Sequence, residues 1–177
     1  MELIDILTSD GTPTGQRATR TEVHTKGLWH RTVHVWFVNA RGEILLQKRS
    51  DTKESHPGEY DISAAGHIDA GETSVEAALR EVKEELGVIL IADELIKIGE
   101  FKRDGSLNGR TYIVKHINDS YVARKDVAVE DFVVQASEVS LVRYISVAEL
   151  KEWIRTGKRD LVMHDEEFVK LFEYLGQ

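Results

Sequence analysis

The stretch that most constrains this chain runs from Gly66 to Val88, GHIDAGETSVEAALREVKEELGV. It reads as a loop entering a helix. With about 100° of rotation per residue, Val75, Ala78, Leu79, Val82 and Leu86 fall in one narrow apolar stripe. Glu81, Glu84 and Glu85 fall close together on a different face. Like charges at i, i+4 cost a helix roughly 0.2–0.5 kcal/mol per pair. A helix that nevertheless clusters three carboxylates gains most from a cation beside them. A hard divalent ion held by oxygens is the natural candidate.

The rest of the chain must supply a core for that stripe. A length of 177 residues predicts one domain over 1–177, large enough to bury such a core. The composition is 41% hydrophobic and 31% charged, that of an ordinary soluble globular protein. The net charge of −8 argues against a nucleic-acid or membrane-surface binder, since both are polyanions. With no cysteine there is no disulfide framework, thiolate zinc site or thiol nucleophile. The first thirty residues lack a signal-peptide core, and no run approaches the roughly 18 apolar residues of a membrane span. A cytoplasmic location is the default expectation.

In order, 2–7 alternate as a short strand, and 11–22 read as a loop or edge ribbon. Thr32–Asn39 alternate as a strand with Val33, Val35 and Phe37 on one face and His34, Trp36 and Val38 on the other. A tight turn at 39–42 leads to EILLQKRS as the second hairpin arm. Residues 50–60 read as loop and 61–66 as a short strand. Thr73 or Ser74 caps the acidic helix, and Gly87 ends it. Strands follow at 93–102 and in TYIVKHI, separated by a polar loop at 103–110. Residues 118–131 read as charged loop with a short strand, and DFVVQ and VSLVRYIS as two further strands. Helical spacing returns at 147–156 and 165–175. This order predicts an α/β protein, a mixed sheet with helices on both faces.

Gly66, Glu72 after five intervening residues, and Arg80-Glu81-Val82-Lys83-Glu84-Glu85-Leu86-Gly87-Val88 after seven more resemble the Nudix box, with every specified position filled. The resemblance implies an α/β/α sandwich and Mg²⁺- or Mn²⁺-dependent hydrolysis of a diphosphate joined to another group. It implies Glu81, Glu84 and Glu85 as metal ligands, with the Gly66 carbonyl as a further one. Glu84 and Glu85 are both candidates for the base on the attacking water. Glu72 and Arg80 are the structural pair that fixes the loop against the helix. A small-molecule diphosphate is the implied partner. The oligomeric state, monomer or homodimer, stays open.

The flanks GLWHR, VHVWFVNARGEILLQKRS, SHPGEYD and SAAGHIDAGE resemble the isopentenyl-diphosphate isomerase branch of the superfamily. His24, His30 and His67 fall where that branch places a histidine metal site; for His24 the fit needs a one-residue gap. The isomerase cysteine position holds Ala65. Leu107 and Gly109, around Asn108, stand where its later glutamates belong. Alkene isomerisation needs an acid and a base on opposite faces of the double bond, and one of them is gone. The reading is therefore a hydrolase with isomerase-like flanks, the alternative being the isomerase itself. Arg49, beside Lys48, is a candidate phosphate contact, as is His67. Arg103, Asn108 and Arg110 are candidates to meet the substrate's variable half. Glu138 is the candidate distal acid, with Glu130 and Asp131 as competitors. Trp29, Trp36 and Trp153 are more often core than base-stacking platforms and are assigned no role.

Overall fold

The central strand is built from residues that favour a pleated, buried surface. HRTVHVWFV alternates β-branched and aromatic side chains, and both of its faces are covered. The computed structural model describes residues 3–107 and 111–177. In chain order it contains β1 (Leu3–Leu7), β2 (Pro13–Thr19), α1 (Arg20–Lys26), β3 (His30–Val38), β4 (Ile44–Arg49), β5 (Tyr60–Asp61), β6 (Ala64–His67) and α2 (Ser74–Leu86). Then follow β7 (Leu95–Leu107), β8 (Tyr112–Arg124), β9 (Val139–Ile145), α3 (Val147–Thr156) and α4 (Asp165–Leu175).

Seven strands form one mixed sheet in the order β5-β4-β3-β8-β7, with β6 added on β3 and β9 on β4. β3 and β8 run parallel, from His30 opposite His116 to Val38 opposite Arg124. On one face Val33, Val35 and Phe37 pack against Ala77, Ala78, Val82 and Leu86 of α2. On the other, Trp36 and Val38 pack against Leu150 of α3 and Phe168 and Leu171 of α4. Helices thus cover both faces of the sheet, as the residue pattern predicts. Val82 and Leu86 are fully buried. Burial of each contributes about 1.5–3 kcal/mol and fixes which way the rest of α2 faces. β1 and β2 form a separate small sheet with its own cluster of Ile4, Ile6, Ala18 and Val23.

The structure differs from the sequence expectations in four places. For residues 11–22 the edge-ribbon reading holds, as β2 pairs with β1, but β2 then runs into α1, which is not expected and whose first turn is closed by a capping box between Thr19 and Glu22. The region 103–110 is strand as far as Leu107, paired with Tyr112 across the ribbon. Asn108, Gly109 and Arg110 lie outside the described residues.

β8 continues through Arg124, where a charged loop is expected from sequence. Two of its buried polar residues are satisfied: Asp119 accepts from Arg31 at 3.1 Å, and Asn118 accepts from Thr32 Oγ1 at 3.1 Å. DFVVQ is not a strand. It follows a short 3₁₀ turn, Val129–Asp131, and its Val133 and Gln135 amides donate to the Leu86 and Glu85 carbonyls, each at 3.1 Å. It therefore satisfies the open C-terminal end of α2. No described helix is long and apolar enough to cross a membrane.

Candidate active site

The acidic helix is held at both ends. Thr73 is its N-cap, accepting from the Glu76 amide, and the Glu76 side chain returns to the Thr73 amide. Gly87 ends it in the left-handed region, φ 71°. A side chain there would be strained and would also meet Val133, 2.8 Å from an added Cβ. Between these ends the apolar stripe is pinned to the sheet, so Glu81, Glu84 and Glu85 project together into a cleft of about 550 Å³.

The loop before α2 is clamped to it by Arg80. The Arg80 Nε donates to Glu72 Oε1 at 3.0 Å, and Nη2 donates to Glu72 Oε2 and to the His67 carbonyl, both at 2.9 Å. Its Nη1 donates to Glu81 Oε1 at 2.6 Å. Glu72 Oε2 also accepts from the Asp69 amide at 3.0 Å. The guanidinium is thus fixed as a fork on one carboxylate, a geometry lysine does not offer. These hydrogen bonds and charges hold the Arg80 pKa above its ordinary value, Glu72 contributing most.

Of the three glutamates, Glu84 is the most open, its side chain 53% exposed against 12% for Glu81. Glu85 is buried. It accepts from Gln47 Nε2 and from the Ala65 amide, both at 3.1 Å. Burial pushes its carboxyl up to about 8, the nearby Glu81 charge adds to this, and the Ala65 hydrogen bond opposes it. Gly66 lies so close to Glu81 that a larger residue there would displace the carboxylate. Glu81, Glu84, Glu85 and Gly66 line this cleft, and carboxylates with a backbone carbonyl offer the oxygen donors that suit Mg²⁺ or Mn²⁺.

Glu138, the candidate distal acid, lines the same cleft and is ion-paired with Lys53. Its competitors Glu130 and Asp131 are exposed in the 3₁₀ turn and do not line the cleft. Arg49 also lines the cleft, and its nitrogens are engaged. Nε donates to the Ser55 carbonyl at 2.9 Å, Nη1 to Asp61 Oδ2 at 3.1 Å and Nη2 to Ser55 Oγ at 3.1 Å. It ties the 50–60 loop to β5.

His24, His30 and His67 do meet, with one nitrogen from each within 4.8 Å of the others. His24 Nε2 is 3.0 Å from His67 Nε2, and His24 Nδ1 is 3.0 Å from the Ile113 carbonyl. Ala65 brings no side-chain acid to the cleft, only its amide to Glu85. Trp36 is fully buried in the core and Trp153 packs against it, whereas Trp29 is half-buried with Lys102 over its ring.

Sequence reasoning passes over a second cluster. His34, His164 and Glu167 converge at the wall of the cleft, joined by Asp61. Burial alone would raise the Asp61 carboxyl. The hydrogen bond and charge of His164, together with the charge of Arg49, outweigh it and hold the group well below the usual range. The available signal was His34 itself, an ionisable side chain at an inward position of an otherwise apolar strand.

The NUDIX domain pattern matches residues 28–168 of this chain. Nudix hydrolase 3 of Arabidopsis thaliana is 41% identical over 99% of the chain, which spans only 23% of that longer protein. An uncharacterized Nudix hydrolase of Clostridium acetobutylicum is 35% identical over 86% of this chain and 74% of its own length. Among solved structures, a Deinococcus radiodurans protein superposes with a TM-score of 0.69 at 21% identity, covering 96% of this chain and 97% of the other. That last likeness is one of fold.

Proposed function

The chain belongs to the NUDIX family, and from that premise we propose that it is a pyrophosphohydrolase dependent on Mg²⁺ or Mn²⁺. It cleaves the diphosphate link of a nucleoside-diphosphate derivative or related organic diphosphate. One domain, residues 1–177, carries the activity. The observation that supports this most is the convergence of Glu81, Glu84, Glu85 and Gly66 on one cleft. Lys53, Arg49 and Arg80 line the same walls, each paired with a carboxylate: Glu138, Asp61 and Glu72 respectively.

Glu81, Glu84, Glu85 and the Gly66 carbonyl would hold the divalent ion. Bound there, it supplies neutralisation of phosphate oxygens and acidification of water. The protein's own contributions are positional. Arg80 and Glu72 hold the loop that carries Gly66 and His67. Glu84 or Glu85 takes the proton from the attacking water as its oxygen bonds to phosphorus and the bridging P–O bond breaks. His67 and Arg49 are the candidate contacts to the phosphates, His24, His30 and His67 a second candidate metal set, and Glu138 the distal acid. Ala65 offers no proton, which counts against alkene isomerisation.

The test is steady-state hydrolysis across nucleoside-diphosphate sugars, dinucleotides, nucleotides and prenyl diphosphates, with Mg²⁺, with Mn²⁺ and with chelator. Metal-dependent release of the two phosphate-bearing halves is expected. Metal-independent turnover, or deuterium exchange into a prenyl diphosphate without hydrolysis, would count against the proposal.

A further inference from the structure

The second cluster has donors of a different kind from those on α2. His34 comes from the middle of β3, Glu167 from the first turn of α4, and His164 from the residue just before that helix. His34 Nδ1 lies 2.8 Å from Glu167 Oε1, and His164 Nδ1 lies 3.6 Å from the same oxygen. All three side chains are buried. Ligand atoms sharing one ion at about 2.0–2.1 Å in tetrahedral geometry sit roughly 3.3 Å apart, close to these separations.

The arrangement around the donors has the form that metal-binding histidines usually show. His164 Nε2 is 2.8 Å from Asp61 Oδ1. Asp61 is itself held by Arg49 at 3.1 Å and by the Ile62 amide at 2.9 Å. His164 Nδ1, at 3.6 Å, faces the Glu167 Oε1 carboxylate oxygen at a separation too long for a hydrogen bond. Asn118 Nδ2 adds a longer contact to Glu167 Oε1, 3.3 Å. The second carboxylate oxygen, Glu167 Oε2, is buried near Ser120 Oγ, with no hydrogen bond of normal geometry to either atom. That is an unusual state for a buried carboxylate and an ordinary one for a ligand.

We infer that His34, His164 and Glu167 form a binding site for a first-row transition ion of the zinc class, oriented by Asp61 and separate from the α2 glutamates. Two imidazole nitrogens and one carboxylate prefer such ions, whereas Mg²⁺ prefers oxygen alone. His34 and His164 line the same cleft as the glutamates, so an oxygen of a bound substrate can reach the remaining coordination position.

The test uses the full chain, stripped with chelator and titrated with Co²⁺ as a spectroscopic stand-in for zinc. The expected result is one equivalent with the visible absorption of a low-coordinate nitrogen–oxygen site, displaced by Zn²⁺ and unmoved by excess Mg²⁺. The band should survive combined Glu81→Gln, Glu84→Gln and Glu85→Gln substitution, and His24→Asn. It should be lost, or its affinity weakened at least 10–100-fold, in His34→Gln, His164→Asn and Glu167→Gln. If the histidine variants fail to fold, Glu167→Gln decides, since it preserves shape. No band in the wild type, or one that survives Glu167→Gln, overturns the site and shows the cluster to be a hydrogen-bonded network only. Because the readout is the Co²⁺ spectrum, its failure leaves Mg²⁺-dependent hydrolysis untouched, and the reverse also holds.

Discussion

A Cβ placed on Gly66 would lie 1.9 Å from Glu81 Oε1. The atom it meets is the far end of a flexible side chain, so the clash is relieved by moving the carboxylate rather than the backbone. Gly66→Ala is therefore predicted to leave the melting temperature within a few degrees of wild type while lowering kcat/KM by about 10²-fold, the cost of a misplaced catalytic group. Thermal melts and hydrolysis assays on the same preparation check this. A large loss of stability with activity intact per folded molecule would contradict it.

Glu84 and Glu85 differ in exposure, one open to solvent and one buried against Gln47 and the Ala65 amide. Glu84→Gln and Glu85→Gln keep shape and remove charge. At least one is predicted to lower kcat by 10²–10⁴-fold, the usual contribution of a general base. Chelator should abolish wild-type turnover. If both variants kept full activity, the assigned roles would be wrong.

The Glu85 carboxyl, at about 8 in the folded protein against 4.5 ordinarily, ties stability to pH in the metal-free state. A raised acid binds its proton more tightly when folded. Its favourable contribution is therefore complete below the unfolded value and is lost as pH rises towards the folded one. Stability of the chelated wild type, relative to chelated Glu85→Gln, should fall by up to about 1.4 kcal/mol per pH unit between about pH 5 and 8 and then level off. Denaturant unfolding of both proteins across that window measures the slope. Added Mg²⁺ should flatten it, because the ion takes the place of the proton. A flat difference in chelator would reject the shift.

Arg80 makes a fork on Glu72 and reaches the His67 carbonyl as well. Lysine keeps the charge and loses the fork. Arg80→Lys is predicted to cost about 1.5–3 kcal/mol of stability, the range for hydrogen bonds to charged groups. It should also raise KM, through the loosened Gly66–His67 segment. Urea unfolding and substrate titration test this, and a variant indistinguishable from wild type in both would remove Arg80 from its clamping role.

What can be read from the residues alone is what is written locally. The stripe of α2 and the two faces of β3 follow from periodicity within a few turns or pleats, and the helix caps at Thr73 and Gly87 follow from single residues. The second half of β8 is hidden because Asn118, Asp119 and Ser120 look like loop and are buried. The partners that make this tolerable, Arg31 and Thr32, are brought in by the sheet from far along the chain. The same holds for His34, His164 and Glu167, which share no motif; Glu167 is 133 residues from His34. α1 escapes notice because its seven residues carry little helical signal beyond the Thr19–Glu22 cap.

The parallel pairing of β3 with β8 also bears on how the protein is made. Thr32 and Asn118, joined side chain to side chain, are 86 residues apart in sequence. Closing so long a loop is slow, and the centre of the sheet has no register until β8 has been synthesised. A nascent chain that has just emitted α2 already holds the complete acidic box and the β3 face beneath it, but not β8, the parallel neighbour of β3. Competence should therefore arrive in a single late step. Fragments ending before Arg124 would carry the motif without the enzyme.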